Sequence, residues 1–405
     1  MLNWLLKKAE RAAMLLAALA LLFPATAALA GTAPVTTVLT PDLYQNLKTP
    51  VSIALDPRGY FYVADPRVAG VSKFDLSGKL LQVFKLASPA RAVALDNSGN
   101  VVVSQGTSVA LLDSNGALKL LLGSGSGQFG YATGIAVDMR GYIWVTDNLA
   151  NKLSVFTAAG DLVTSFGTKG SAPGEFYLPV GVSYEKAADQ MVVADAGNHR
   201  LQFFSATGVY SFVKSIGSFG NAPLQFTYPV ASAFEYDGTG KLNRMYVADL
   251  QLSTVQVLDP AGTGSFLSFI GSSGLVSGLL MEPMSLAFDP VNKRLIVVNG
   301  NGHLNLFGID GGVNPVPAQG FGIDPVATGV KTPTVTITGS VPVGATVVLR
   351  TNTTALPDPV SYTSSSTWRT TVQNLAPGSN VVTVTAVNSS GTIIAKQSVG
   401  IIYSP

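Results

Sequence analysis

Histidine and cysteine, the side chains that most often bind metals or move protons, are nearly absent from this chain. Its 405 residues include two histidines, His199 and His303, and no cysteine. Zinc sites generally take three or four Cys, His or carboxylate ligands, and a Ser-His-Asp triad needs a histidine held between its partners. Two histidines far apart in sequence, without a supporting motif, predict neither arrangement. We therefore expect no metal, no cofactor and no catalytic residue.

Aspartate is plentiful, but its spacing is typical of turns. Asp56, Asp96 and Asp138 each stand three residues before a glycine, as in a type I turn with Asp at its first position and Gly at its last. Asp75, Asp113 and Asp259 repeat this spacing, and Asp289 occupies the same place in a later segment. A residue that recurs in each of several similar segments indicates architecture rather than catalysis.

A second set of polar residues follows short apolar runs. Four such runs end in aspartate and a later one is followed by asparagine, at Asp65, Asp147, Asp195, Asp249 and Asn299. Gln105 departs from this pattern in the segment between Asp65 and Asp147. A carboxylate at the end of a run can accept hydrogen bonds from the loop that follows. These residues, together with Arg200, are therefore predicted to be structural.

The segments that carry these residues are copies of one repeat, most clearly seen in residues 166–204. This copy contains Phe166-Gly167, Gly170, Gly174, Glu175-Phe176, Pro179, Asp195, Asn198, His199 and Arg200, with short apolar runs between them. Apolar runs separated by Gly, Pro, Asn and Asp predict half-buried strands joined by tight turns. Each copy therefore predicts a small antiparallel sheet.

This pattern resembles the NHL repeat of β-propeller proteins, whose unit reads approximately Phe-Gly, Gly, Gln-Phe, Pro, then Val-Ala-Asp, Asn, Arg. The match is close in residues 166–204, good in residues 122–156 and weaker elsewhere. The resemblance implies an all-β fold in which each copy is one blade of a ring. It also implies that Phe129, Phe176 and Phe226 pack between blades.

The sixth predicted blade starts at Glu282-Pro283 and stops one strand short. Residues 36–40 also read as a strand and can supply the missing outer strand, which would pair the two ends of the domain and remove two exposed sheet edges. We therefore predict a six-bladed β-propeller closed by an N-terminal strand over residues 31–312. A Gly/Pro-rich linker is predicted at residues 313–329, because this stretch lacks strand periodicity.

From Val330 onwards the composition shifts to Thr, Ser and Val, with short, regularly spaced apolar runs. Such spacing predicts a small β-sandwich over residues 330–405. The segment resembles the immunoglobulin-like domains appended to bacterial cell-surface and periplasmic proteins. Trp368 is predicted to be its core anchor, since a single Trp on a polar strand usually points inward.

Residues 1–30 have the pattern of a secretory signal peptide. Lys7, Lys8 and Arg11 precede an apolar stretch, and Ala28-Leu29-Ala30 offers small residues for cleavage. An uncleaved anchor is the alternative, although the strongly apolar part is shorter than the ~20 residues that a spanning helix needs. We predict export to the periplasm or the extracellular surface of a bacterium, with no membrane span after cleavage. The formal net charge of +2 lies in the leader, so the remainder is neutral and has no electrostatic footprint for nucleic acid.

In the predicted propeller, the loops into each first strand and the loops between second and third strands share one face, which we call the loop face. It carries polar and aromatic residues: Arg67, Tyr131, Asn148, Tyr177, Asn198, His199, Tyr228, Gln251 and His303. Aromatic and polar side chains on a rigid rim are typical of a protein or glycan binding site. The sequence therefore predicts a non-enzymatic scaffold or binding protein.

The alternative function is a hydrolase or lyase at the channel mouth, of the gluconolactonase-like or streptogramin-lyase-like type. Gluconolactonase-like enzymes place Glu, Asn and Asp ligands around the channel. The predicted first strands here begin with other residues, namely Ser52, Arg91, Thr133, Ser183, Ser232 and Ser285. Streptogramin-lyase-like enzymes use a histidine as a base, and in this chain only His303 could take that role.

Overall fold

The computed structural model describes residues 31–43, 47–68, 70–122, 129–260, 264–275, 278–313, 321–324, 326, 329–342, 344–364, 367–388 and 391–405. The predicted signal peptide and most of the predicted linker lie outside these residues. The chain divides into two compact units, one that ends at Asn314 and one that spans Pro315–Pro405. Within the described residues, no helix is both long enough and apolar enough to cross a membrane.

The first unit contains six four-stranded antiparallel sheets among its described residues, and we call each sheet a blade. Strand β1 is Thr36–Leu43. Blade 1 consists of β2 (Ser52–Asp56), β3 (Tyr60–Asp65), β4 (Gly70–Asp75) and β5 (Leu80–Lys85). Blade 2 consists of β6 (Ala92–Leu95), β7 (Val101–Ser104), β8 (Val109–Leu112) and β9 (Leu118–Leu122). Blade 3 consists of β10 (Ala132–Val137), β11 (Ile143–Asp147), β12 (Lys152–Phe156) and β13 (Leu162–Phe166).

The remaining blades follow the same plan. Blade 4 consists of β14 (Pro179–Glu185), β15 (Gln190–Asp195), β16 (Arg200–Ser205) and β17 (Phe212–Ile216), with a short 3-10 helix at Ala196–Asn198. Blade 5 consists of β18 (Pro229–Tyr236), β19 (Leu242–Asp249), β20 (Thr254–Asp259) and β21 (Ser265–Ile270). Blade 6 consists of β22 (Ser285–Asp289), β23 (Arg294–Val298), β24 (Leu304–Ile309) and, as its outer strand, β1.

The blades form a closed ring. The first strands contact one another in the cyclic order β2, β6, β10, β14, β18 and β22, and β22 contacts β2. Strand β1 pairs antiparallel with β24, from Thr36 opposite Ile309 to Leu43 opposite Leu304, with an irregularity after Leu39. The predicted closing strand over residues 36–40 is therefore confirmed, and the structure extends it to Leu43.

Each second strand is covered on both faces by the neighbouring blades. At the same register position of each sheet a fully buried valine occurs, namely Val63, Val103, Val145, Val193, Val247 and Val297. A strand buried on both faces is apolar without alternation, which explains the short apolar runs of the repeat. Phe129, Phe176 and Phe226 are at most 5% exposed and join the interblade cores, as predicted.

The turns at Asp56, Asp96 and Asp138 after first strands, and at Asp75 and Asp113 after third strands, follow the predicted aspartate spacing. The glycine of the turn predicted at Asp259 lies outside the described residues. The Gly59 N–H donates to the Asp56 carbonyl at 3.0 Å, and Gly99 and Gly141 repeat this bond to Asp96 and Asp138. In each turn a carboxylate oxygen also accepts the N–H two residues later, from Arg58, Ser98 and Arg140 respectively. These aspartates stabilise turns, as their spacing predicts.

The second unit consists of two sheets that pack around one core. One sheet contains β25 (Gly322–Ile323), β27 (Val335–Ser340), β29 (Leu356–Pro357), β30 (Ser361–Ser364) and β31 (Thr367–Gln373). The other contains β26 (Gly329–Val330), β28 (Thr346–Thr351), β32 (Gly378–Val387) and β33 (Ile393–Tyr403). Trp368 is 1% exposed in this core, which confirms its predicted position. Strand β25 pairs with β27, so the sheet includes two residues of the predicted linker.

Candidate functional site

The repeat carboxylates fix the loops that enter each blade. In blade 3, the buried Asp147 accepts hydrogen bonds from the N–H of Gly130 at 2.7 Å and of Tyr131 at 2.9 Å. It also accepts the N–H of Ala150, in the loop that follows, at 3.0 Å. The sequence predicts only the second kind of contact. The carboxylate therefore ties together two loops of the loop face.

The equivalent residue makes the same contact in the other blades. The acceptors and N–H donors are Asp65 with Lys48 and Thr49, Gln105 with Ser88, Asp195 with Tyr177, Asp249 with Thr227 and Tyr228, and Asn299 with Met281. Gln105, which departs from the sequence pattern, thus accepts the same kind of backbone hydrogen bond as the aspartates. In blades 3, 4 and 5 the donor includes a loop-face tyrosine, so the structural carboxylates position Tyr131, Tyr177 and Tyr228.

Blade 4 reinforces this contact with an arginine clamp. The Arg200 Nε donates to Asp195 at 2.8 Å, and the same guanidinium donates to the carbonyls of Ser171, Ala172 and Glu175. Asn198 donates to Asp195 at 2.9 Å and to the Gly170 carbonyl at 2.8 Å. Both side chains therefore hold the loop before Tyr177, which agrees with the structural role predicted for Arg200.

A central channel of about 860 Å³ runs between the six first strands and is lined by residues of each of them. Each first strand lies at the edge of its sheet, so its unpaired backbone N–H and C=O groups face the channel. Arg91, Tyr131, Asn148 and Tyr228 line the channel near the loop face, where the first strands begin. Lys186 and Tyr236 line it at the other end.

The hydroxyls predicted at the starts of the first strands join neighbouring blades. The Val93 N–H donates to Ser52 Oγ at 3.2 Å, and Ser183 Oγ donates to the Ser232 carbonyl at 2.8 Å. Thr133 Oγ1 lies 3.0 Å from the Val180 carbonyl. These hydroxyls satisfy backbone groups that would otherwise be unpaired at the blade junctions. They therefore support the ring, and none of them is paired with a histidine among the described residues.

Three tyrosines and two cations on the loop face form a group that we call the rim. Tyr131, Tyr228 and Arg91 line the channel, whereas Tyr177 and Lys169 lie outside its lining. The Arg91 guanidinium carbon lies 5.7 Å from the centre of the Tyr131 ring, and Lys169 Nζ lies 5.1 Å from that of Tyr177. Both distances lie within the range of cation–π attraction. Burial, and then the neighbouring Tyr177 hydroxyl, raises the pKa of Tyr228, so this phenol stays protonated at neutral pH.

His199 lies away from the channel lining. Its ring Nδ1 is 2.7 Å from the Thr227 carbonyl and therefore carries the proton, because a carbonyl oxygen only accepts. The ring also packs edge-on against Phe219 with centroids 4.8 Å apart. His199 thus joins blade 4 to the loop that enters blade 5.

The remaining predicted residues are also distributed around the ring rather than gathered at the channel. His303 lies 3.8 Å from the carboxylate of Asp42 on the closing strand. Arg67 and Gln251 are exposed and do not line the channel. Among the nine predicted binding residues, the structure places Tyr131, Asn148 and Tyr228 at the channel, whereas Tyr177 lies on the loop face outside the channel lining. Arg91, which lines the channel, and Lys169, which lies over the Tyr177 ring, were not among the predicted binding residues.

The rim supplies hydrogen-bond donors, aromatic faces and positive charge. Within the residues that the structure describes, no group of three or more His, Asp or Glu side chains has the arrangement of a metal site. The acid in the channel lining, Asp138, is 1% exposed and is bound by Arg140 and the Trp144 indole. The carboxylate of Asp138 is therefore engaged by contacts within blade 3.

No protein-family profile matches the chain. A stretch of 124 residues is 32% identical to the peptidylglycine alpha-amidating monooxygenase of Rattus norvegicus and covers 29% of this chain and 13% of that protein. The chain thus matches only a small part of that enzyme's length.

Two solved structures share the arrangement of the first unit. An auxiliary nutrient binding protein from Bacteroides ovatus aligns with a TM-score of 0.53 at 15% identity, over 69% of this chain and 77% of the other. Its counterpart from Bacteroides thetaiotaomicron aligns with a TM-score of 0.54 at 10% identity, over 68% and 76%. The first unit is a β-propeller. Membership of the NHL-repeat family and the immunoglobulin-like class of the second unit stay predictions.

Proposed function

We propose that this protein is exported to a bacterial periplasm or cell surface, where the loop face of its propeller binds a protein or glycan partner. The C-terminal immunoglobulin-like β-sandwich would act as a spacer or second contact. The observation that carries this proposal is the positioning of Tyr131, Tyr177 and Tyr228 by buried carboxylates. Because these bonds fix the backbone of the three tyrosines, the loops that carry them lose little conformational entropy on binding, which favours recognition of a partner.

The hydrogen bonds of the buried carboxylates and of His199 support a binding role. Asp65, Asp195 and Asp249 are fully buried and accept backbone hydrogen bonds, and His199 is held by the Thr227 carbonyl. A general base needs a free acceptor within reach of a substrate proton. These side chains instead support the loops.

A hydrolase or lyase that acts at the channel mouth is the alternative. A stretch of 91 residues is 33% identical to a probable peptidyl-alpha-hydroxyglycine alpha-amidating lyase of Caenorhabditis elegans, over 22% of this chain and 26% of that protein, and this likeness supports a lyase among the catalytic functions. The two functions differ in what the channel mouth must contain. An enzyme of this kind requires a group that abstracts or donates a proton at the mouth, whereas the proposed binding function requires the tyrosine rim alone.

Photo-crosslinking from the loop face tests the proposed function. A photoactivatable residue at Tyr177, which is 38% exposed, is expected to capture a partner in the native envelope. The same residue at Met139, which is 60% exposed in the turn after the first strand of blade 3, serves as the control on the opposite face. Tyr177→Ala is expected to weaken partner binding by roughly tenfold, as for an aromatic hot spot. Equal capture at both positions would refute the loop-face function.

A further inference from the structure

We propose that the central channel binds a small ring-bearing organic carboxylate, whose charged group is held by Arg91. This inference goes beyond the loop-face function, because it concerns the interior of the ring and a small molecule rather than a macromolecular partner. Its support comes from the charges of the channel lining, the surroundings of Arg91 and the groups next to it. A channel of about 860 Å³ lies within the range of small-molecule sites.

The charge available to a ligand in the channel is positive. Among the described residues that line it, the ionisable groups are Arg91, Lys186, Asp138 and tyrosine phenols. Asp138 is 1% exposed, and its carboxylate accepts hydrogen bonds from Arg140 at 2.8 Å and from the Trp144 indole at 3.2 Å. The two cations therefore determine the electrostatic potential, which attracts an anion.

Arg91 is held in place without an acidic partner. Its backbone N–H donates to the Ser104 carbonyl at 2.8 Å, which fixes the residue directly before strand β6. Its guanidinium lies against the Tyr131 ring, and no carboxylate of the described chain forms an ion pair with it. A guanidinium offers a planar set of donors that matches a carboxylate in bidentate geometry. The natural complement of Arg91 is thus an oxyanion that enters from the loop face.

The groups next to Arg91 favour a ligand with a ring. Tyr131 and Tyr228 line the same end of the channel, and Asn148 is fixed there by a 3.1 Å bond from its Nδ2 to the Pro179 carbonyl. Tyrosine faces pack against aromatic rings and against the C–H faces of sugars. The edge strands add backbone N–H and C=O groups for polar substituents. Acidic sugars and aromatic acids share this chemistry.

Titration calorimetry with matched acid and neutral ligands tests the proposal. The probes are galacturonate against galactose, and phenylacetate against phenylacetamide, each added to the full chain. At least one acid is expected to bind about tenfold or more tightly than its neutral partner, as a charge-assisted pair implies. The pair that shows this preference distinguishes an acidic sugar from an aromatic acid.

Variants distinguish a direct contact between Arg91 and the ligand carboxylate from attraction by the overall positive charge of the channel. Arg91→Met is expected to abolish the preference for the acid, and Arg91→Lys to retain part of it as a point charge. Lys186→Met removes the other cation of the channel lining, at the far end, and is expected to reduce the preference for the acid much less than Arg91→Met does. Absence of binding by both acids, or an unchanged preference in a folded Arg91→Met protein, would overturn the proposal. Partner capture at Tyr177 is a separate measurement, so the two functions can fail independently.

A different observation, at the start of the described chain, supports a second inference. The backbone nitrogen of Gly31 lies 2.6 Å from the carboxylate of Asp259, a residue that is 6% exposed. Gly31 directly follows the predicted cleavage site at Ala28-Leu29-Ala30. We infer that hydrolysis of the Ala30–Gly31 peptide bond by a leader peptidase converts this hydrogen bond into an ion pair. Water supplies the hydroxyl to the Ala30 carbonyl carbon, and the released Gly31 amine is protonated.

The surroundings of Gly31 fit this role. A Cβ atom at this position would lie 3.2 Å from the Asp259 carboxylate carbon, so glycine gives the closest approach. The following residues are also held, since the Thr32 carbonyl accepts Arg244 Nε at 3.1 Å and the Val35 N–H donates to Asp310 at 2.9 Å. The ion pair would therefore anchor the new N-terminus directly before the closing strand β1.

Amine labelling of the exported protein tests this second inference. Intact mass is expected to show a chain that starts at Gly31. An ammonium group beside a carboxylate is stabilised in its charged, unreactive form, so its acetylation at neutral pH is expected to be about tenfold slower than in Asp259→Asn. Asp113→Asn changes the same turn position in blade 2, away from Gly31, and should leave the slow rate unchanged. A mature chain with another first residue, or equal rates in wild type and Asp259→Asn, would refute it.

Discussion

Replacing Thr37 with proline is expected to lower the free energy of unfolding of the propeller by about 3 kcal/mol or more. Next to the pairing of β1 with β24, the Asp310 N–H donates to the Val35 carbonyl. The Ile309 N–H donates in the opposite direction, to the carbonyl of Lys293, which directly precedes β23. Antiparallel bonds alternate along a strand, so Thr37 and its partner Gly308 exchange bonds across the closure. Proline removes the Thr37 donor at this point.

Thr36→Pro is the matched control for this prediction. Thr36 lies opposite Ile309, so its N–H points away from β24, and proline is tolerated at the first position of an edge strand. The melting temperature should fall by roughly 6–12 °C in Thr37→Pro and much less in Thr36→Pro. Calorimetry of the two variants provides the comparison. Equal melting temperatures would mean that β1 does not close the ring in solution.

The closure of the ring was predictable because it follows from strand counting. The sixth copy of the repeat lacks a strand and residues 36–40 offer one, so only one pairing removes both exposed edges. The two-residue strand Gly322–Ile323 escaped prediction for the opposite reason. A strand this short has no periodicity, and its pairing with Gly339 and Ser340 depends on the tertiary structure of the second unit.

The candidate site was only partly predictable, because its contacts join neighbouring blades. The spacing of Asp147 identifies a structural carboxylate, but its bond to Tyr131 depends on how the entering loop folds back over the second strand. His199 lies in a variable position of the repeat and is bound by Thr227 of the next blade. Arg91 was identified at the start of a first strand, yet its stacking on Tyr131 requires the ring to place two blades side by side.

Asp195→Ala is expected to be the most destabilising single substitution among the repeat carboxylates, at about 3–5 kcal/mol. Its fully buried carboxylate accepts hydrogen bonds from the backbone of Tyr177 and from the side chains of Asn198, Arg200 and Gln202. Without it, the largely buried Arg200 guanidinium keeps its carbonyl acceptors but loses its counter-charge. Denaturant unfolding of the purified protein measures the loss.

Two further variants distinguish the cost of leaving the Arg200 cation unpaired from the cost of losing a carboxylate that accepts backbone hydrogen bonds. Asp113→Ala removes a solvent-accessible carboxylate that also accepts backbone N–H groups, and it is expected to cost much less than Asp195→Ala. Adding Arg200→Met to Asp195→Ala should recover part of the stability, because no buried cation is then left unpaired. If Asp195→Ala cost no more than Asp113→Ala, the Asp195 carboxylate would not be structural. The repeat carboxylates would then again be candidates for a catalytic role. The proposed binding function depends on these carboxylates being engaged in structural hydrogen bonds.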